Sequence, residues 1–451
     1  MDSPNSAYQS VRPAWLLVLV LPLVFFAVRG SFSFDYTSIN NPATGNYGAL
    51  TTVNAGEGSV KHSVELVLAY GTVFVAMFML LPVMVRAIQN NLLVFALPCY
   101  AILSTLWSQE PTRTFAFGIL ALINTAFGIY LARCLSPRQQ LKLFIAAATI
   151  LGIVSIALVI GMPRAGVDYK NATLGWQGIF PHKNICALVM LSFLPAVLAE
   201  PFRGGFAKLL RPLCILLILT LLIGSTSRTG WIVAFITLGG FYALKFLRRV
   251  RPIERHFLAF TLLAAAVIGT SLILLNMDQI SRMMGKGADL SGRTVIWRVV
   301  IQHIINHPWL GSGYDAFWLG LKGDSAVLAI QAGDPGLNNA ENGVLQLWLE
   351  VGVFGVLLLF LMLFRTCRNA LTCYRSDTPA YVLWYITILI ITLLSLVDGD
   401  KFMFPNAIEW TMYIMADAAL AAEAQRVRSR LRAPVHYGQA PAKQVPIPQT
   451  W

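Results

Sequence analysis

Runs of about 20 almost uncharged residues recur along the whole chain, and they constrain the fold more than any motif does. A hydrocarbon core about 30 Å thick is crossed by roughly 20 apolar helical residues. Twelve such runs are legible, at 13–28, 63–85, 91–107, 114–132, 143–161, 185–199, 209–224, 229–246, 256–276, 344–364, 380–397 and 404–422. Inside lipid the backbone has to satisfy its own polar groups, which makes each run a helix. Only 12% of the 451 residues are charged and 57% are hydrophobic, whereas a soluble domain carries about 25% charge. The expected class is an all-α polytopic membrane protein with about twelve transmembrane helices. The net charge of +13 is then a matter of sidedness and not of nucleic-acid binding, because cytoplasmic loops collect Lys and Arg.

The first run follows Arg12 and reads as a retained span, since no small-x-small cleavage site follows VRGSFSF. With the N-terminus in the cytoplasm, 21 of the 34 Lys and Arg residues fall on inner segments. They include the KFLRRVRPIER run at 245–255 and the RVRSRLR run at 426–432. Both termini are therefore expected in the cytoplasm. Residues 1–424 form the transmembrane domain, and 425–451 read as a disordered basic cytoplasmic tail, Pro- and Gln-rich from 433 onward. The longest loop, 277–343, lies outside between spans nine and ten. The six cysteines show no CxxC or Cys/His metal spacing and read as apolar filler.

Positive residues on the outer side break the charge bias, so each needs a reason. Arg228 lies in GSTSRTGW, where a short polar turn precedes a span and Thr229 is placed to cap it. A helix N-terminus beside a guanidinium suits an anionic oxygen; the alternative is an arginine snorkelling to headgroups. Arg293 lies in SGRTVIW, with Ser291 a candidate N-cap for a surface helix reaching about Ile305 and carrying Arg298 and His303. The sequence HPWLGSGYDAFW then ends that helix. His182 and Lys183 sit in FPHKN at the entry of span six, facing either phosphate or headgroups. Glu341 and Asn342 open span ten, and Glu350 follows about 100° round the helix and some two and a half turns deeper. Glu350 reads as a buried carboxylate paired with a helix polar group.

Outward arginines, a lysine and helix N-termini above an apolar bundle, with carboxylates nearby, suit an anionic headgroup on a lipid, such as a diphosphate. The pieces FPHKN (180–184), STSRTGW (225–231), SGRTVIW (291–297), HPWLGSGYDAFW (307–318) and ENGVLQLWLEVGVFG (341–355) resemble, in order and spacing, the O-antigen ligase and Wzy polymerase superfamily. The likeness is greatest to its exopolysaccharide-production, ExoQ-type branch and covers most of residues 90–420.

The resemblance implies a GT-C-like bundle in the bacterial inner (plasma) membrane with a large periplasmic loop between helices 9 and 10. It implies an undecaprenyl-diphosphate-linked oligosaccharide as donor and a glycosyl transfer that needs no metal or other cofactor. Two family arginines, thought to hold the diphosphate, map onto Arg228 and Arg293. The family ligases carry a His before the Asn at the mouth of the late span; this chain has Glu341 there, followed by Asn342. An ordinary carboxylate is a weaker base than imidazole, so Glu341 either accepts the proton of the acceptor hydroxyl or orients an acceptor sugar. His182, Lys183, Asn342 and Arg298 are the accompanying substrate-binding candidates. Tyr314 and Trp318, with Trp176, Trp309 and Phe317, are candidates to stack on sugar rings or to anchor at the interface. The leading expectation is a polymerase of lipid-linked repeat units, working beside a flippase and chain-length or export proteins. The alternatives are a ligase that moves the glycan to another acceptor, and a lipid-linked glycan transporter.

Overall fold

The computed structural model describes residues 13–28, 60–168, 174–200, 205–249, 293–320, 322–333, 337–375, 379, 381–397, 402–404 and 407–432. The expected span 256–276, the candidate cap Ser291 and the segment 433–451 lie outside the described residues. Besides loops, a two-stranded ribbon and two short helical turns, Ser104–Trp107 and Pro163–Gly166, the described chain consists of longer helices. Its helices are α1 (Pro13–Ala27), α2 (Val60–Met79), α3 (Leu81–Gln89), α4 (Leu93–Leu103), α5 (Pro111–Cys134), α6 (Pro137–Gly161), α7 (Lys183–Ala199), α8 (Gly205–Gly224), α9 (Arg228–Leu247), α10 (Arg293–Asn306), α11 (Gly323–Ala332), α12 (Gly343–Arg375), α13 (Tyr381–Val397) and α14 (Ile408–Arg432). Four carry stretches long and apolar enough to cross a membrane: Pro111–Cys134, Pro137–Gly161, Thr229–Leu247 and Gly343–Tyr374. A bent pair, α2 with α3, makes a fifth, and shorter apolar helices accompany them. The chain is a polytopic, multi-pass membrane protein.

Sequence and structure differ in three places. The run 63–85 is not one straight span, because α2 and α3 meet at 90°. Pro82 lies in the first turn of α3, where it donates no amide to a continuing helix. The late span is longer than 344–364 and is broken inside, at Gly352. The last helix runs through Arg432, into the segment expected to be a disordered tail from 425.

The interior is built from the helices that are apolar on every side. Along α7, residues 185–187 and 189–197 are all buried, as a helix enclosed by others requires. Helix α14 packs on α5, α12 and α13. Gly128 of α5 permits the first contact, since a Cβ there would meet Ile414 at 2.8 Å and the Thr411 carbonyl at 2.9 Å; small residues bring membrane helices close in this way. Beside it the Trp410 indole donates to Thr125 Oγ1 at 2.9 Å. The short α5–α6 turn is held by Gln140, whose amide donates to the carbonyls of Leu131 and Leu135 and whose oxygen accepts from the Tyr385 hydroxyl at 2.7 Å. Arg365 of α12 pairs with the fully buried Asp417 of α14, which also accepts from Thr366. This partnering makes a carboxylate tolerable inside the bundle.

Candidate functional site

The mouth of α12 is a turn held by asparagines. The Asn339 Oδ1 accepts from the amide of Glu341 at 2.7 Å. The Asn342 Oδ1 accepts from the amides of Val344 and Leu345 and so caps the helix, while its Nδ2 donates to the Val397 carbonyl at the end of α13. Glu341 stands outside the helix with φ of 50°. The left-handed turn ahead of Gly343 cancels the helical phase reckoned between Glu341 and Glu350. Glu350 is buried and accepts from Gln346 Nε2 at 2.5 Å, the helix partner foreseen for it. The Gln346 oxygen accepts from the Ala340 amide and from the Trp318 indole, both at 2.9 Å.

Helix α12 breaks two residues deeper. Gly352 has φ of 67° and ψ of −171°, and the loop after α10 fills the break. The amides of Ser312 and Gly313 donate to the carbonyls of Leu349 and Glu350 at 2.9 and 2.8 Å, and Val353 donates to the Pro308 carbonyl at 3.0 Å. The Trp348 indole donates to the same Pro308 carbonyl. Backbone groups freed by the break thus find partners in the loop, as buried polar groups must. A small cavity, with room for little more than one water, lies between α12, residues 314–315 and residues 402–404; Gly343, Gln346, Glu350, Tyr314 and Asp315 are among its lining residues. Asp315 is held by Arg113 of α5, whose Nε and one terminal nitrogen both donate to Oδ2, at 3.0 and 2.7 Å.

Two further motifs meet elsewhere at this end. Ser227, not Thr229, caps α9, accepting from the Gly230 amide at 3.1 Å, and Arg228 is the first helical residue. The strand pair Val167–Asp168 and Gly175–Trp176 lays residues 174–176 over that turn. Thr226 donates to the Leu174 carbonyl at 2.9 Å, and a Cβ at Gly175 would come within 2.6 Å of the Lys183 side chain and 2.4 Å of the Ser225 carbonyl. His182 caps α7 through Nδ1, which accepts from the Asn184 amide, while its Nε2 lies 3.5 Å from Asp168. The described left-handed residues other than glycine are Thr226, Asp315 and Glu341, one in each of three motifs. Backbone strain of this kind gathers at working sites.

The two motif groups emerge at one end of the bundle. Tyr374, near the end of α12, donates to the Leu244 carbonyl, near the end of α9. Four residues earlier in α9, Gly240 lies beside Ile390 at the middle of α13, so α9 runs against α13 as α12 does, and the starts of α9 and α12, Arg228 and Gly343, point away from that contact. Asn342 on Val397 brings the end of the returning α13 to the same place. Helix α10 joins them, because the Trp297 indole donates to the Ala340 carbonyl at 3.1 Å, one turn along from Arg293.

Of the other candidates, Arg298 is exposed on α10, Tyr314, Phe317 and Trp318 are buried, Trp176 is partly covered, and Trp309 is exposed. The covered rings serve packing: Trp318 and Phe317 stack edge-to-face at 4.9 Å, and the Tyr314 hydroxyl donates to the Met403 carbonyl. Reading the sequence missed Arg113 and Gln346. Arg113 was one more cation on an outer segment, which was its signal; Gln346, two residues into an apolar run, gave a weaker one.

Fold and site together define a helical multi-pass membrane protein with polar, capped helix mouths gathered at one end. Residues 213–360 match the family model described as O-antigen ligase, a stretch containing every motif quoted above except FPHKN. The chain is also 25% identical over 291 residues to the exopolysaccharide production protein ExoQ of Rhizobium meliloti (strain 1021), covering 61% of this chain and 64% of that protein. About a third of the chain is thus similar to O-antigen ligases, and the chain is distantly similar to an exopolysaccharide production protein, spanning just under two thirds of that relative's length.

Proposed function

We propose that this chain is a glycosyltransferase that polymerises oligosaccharide repeat units carried on undecaprenyl diphosphate, at the periplasmic face of the bacterial inner membrane. One observation carries the reading: the Ser227-capped start of α9, at Arg228, and helix α10, which carries Arg293 and is tied to Ala340 through Trp297, gather at the end of the bundle where the Asn342-capped mouth of α12 lies. Helix N-termini and guanidinium groups together favour a diphosphate. Glu341, set at the mouth in a left-handed turn, takes the acceptor hydroxyl proton as the sugar–phosphate bond breaks. His182, Lys183, Arg298 and Asn342 border the donor and acceptor.

The reading includes a GT-C-like bundle of about twelve spans, both termini in the cytoplasm, and a periplasmic segment 277–343 between spans nine and ten. A flippase would supply the lipid-linked unit, and chain-length or export proteins would take the product. The match of residues 213–360 to an O-antigen ligase model favours a second reading, transfer of the glycan to a different acceptor.

The test is elongation by the purified protein, in detergent and EDTA, of a lipid-diphosphate repeat unit from its own host, with no nucleotide sugar added. A ladder of longer glycans still on lipid diphosphate is expected, and it should vanish in Arg228→Ala and Arg293→Ala. Loss of roughly 100-fold or more is expected for Glu341→Gln, with partial activity for Glu341→His. Release of lipid diphosphate only when another acceptor is supplied would select the ligase reading. Neither product would sink both.

A further inference from the structure

The hydrogen-bond chain buried beneath the mouth of α12 has no part in the roles given above. The Gln346 oxygen takes two donors, the Ala340 amide and the Trp318 indole, and its NH2 group donates to Glu350. Two donors on the oxygen leave the amide one orientation, and that orientation needs an acceptor where Glu350 stands. Gln346 is 2% exposed and Glu350 3%. A carboxylate so placed in a membrane helix is costly to keep, and an apolar side chain would suit packing better. The chain ends at Ala340, next to left-handed Glu341, a backbone state that persists only where its surroundings fix it. Asn339 holds the Glu341 amide on one side, and Gln346 holds the Ala340 amide on the other.

We propose that Glu350 is a positioning residue: through Gln346 it fixes the Ala340–Glu341 turn, and so the place of the Glu341 carboxylate, at the mouth of α12. This rests on the reading that Glu341 acts on the acceptor hydroxyl. Glu350 itself takes part in no bond-making step. The same residue ties that turn to the break in α12, because its main-chain carbonyl accepts from Gly313.

The experiment uses the full-length protein in nanodiscs and the variants Glu350→Ala, Glu350→Gln and Gln346→Leu. Amide hydrogen exchange over 338–343 is read by mass spectrometry beside kcat and the KM for donor. Glu350→Ala and Gln346→Leu are expected to speed exchange at Ala340 and Glu341 roughly tenfold or more and to lower kcat roughly 10- to 100-fold, with donor KM nearly unchanged. Glu350→Gln still accepts from Gln346 and should restore both. Should Glu350→Ala fail to fold, Trp318→Phe, which removes one donor from the Gln346 oxygen, should also speed exchange at Ala340. Unchanged exchange over 338–343 in the Ala and Leu variants would overturn the proposal, as would a Gln variant as damaged as the Ala variant. Faster exchange in a protein whose wild type transfers no glycan would uphold the positioning role and refute the glycosyl-transfer reading instead.

Discussion

Arg113 and Asp315 stand 202 residues apart in sequence, yet their ion pair fixes the loop between α10 and α11 to the start of α5. Asp315 is 1% exposed, and Arg113 also covers the Phe117 ring at 5.3 Å. Removing the cation of a buried pair leaves the carboxylate less well compensated. Arg113→Met should therefore lower stability by about 3–5 kcal/mol, read as the unfolding midpoint in detergent, and adding Asp315→Asn should recover part of the loss. His303 gives a second test. It packs edge-on to Phe317 at 5.1 Å and lies 4.0 Å from Asp324. Burial holds its pKa below the ordinary 6.5, with His307 acting in the same direction and Asp324 opposing. A depressed imidazole pKa means that the unfolded chain binds more protons below about pH 6.5. Stability should be full above that pH and fall as the pH drops toward the folded value; in His303→Phe that fall should shrink. Neither pairing was legible in the sequence, because nothing local tells an outer arginine which distant loop it will meet.

The broken helix α12 is the element on which the candidate site hangs. A Cβ at Gly352 would lie 2.1 Å from the Trp309 carbonyl oxygen, and the left-handed φ disfavours any L side chain. Gly352→Ala should cost more than the ~1–3 kcal/mol of the backbone term alone and should lower transfer activity with it. Gly240→Ala is the control: its Cβ would meet only Ile390, at 3.5 Å, so it should be neutral or stabilising by about 0.5–1 kcal/mol. Equal midpoint shifts in the two variants would refute the close approach. The motif ENGVLQLWLEVGVFG showed a polar mouth, an acidic residue at depth and glycines, but not that Gly352 admits the loop backbone. The caps show the same limit. A helix start was legible near Arg228, while the choice of Ser227 over Thr229 depended on which hydroxyl reaches the Gly230 amide.

Across the bundle, the proposed sidedness predicts where reporters work. Alkaline phosphatase inserted near residue 322 should be active, and a fluorescent protein fused after Trp451 should fluoresce; the opposite pair of results would reverse the orientation and move the candidate site to the cytoplasmic side. Composition and the spacing of apolar runs were enough to establish a helical, multi-pass chain, because lipid accepts little else and each helix satisfies its own backbone. The motifs also marked which segments depart from plain apolar helix. Which of these polar pieces meet, that α2 and α3 bend apart at Leu80, just ahead of Pro82, and that Gln346 and Arg113 lie at the candidate site came only from packing. Those contacts join residues far apart in the chain, and they are selected by which buried donors, carbonyls and charges can be satisfied together once the helices close.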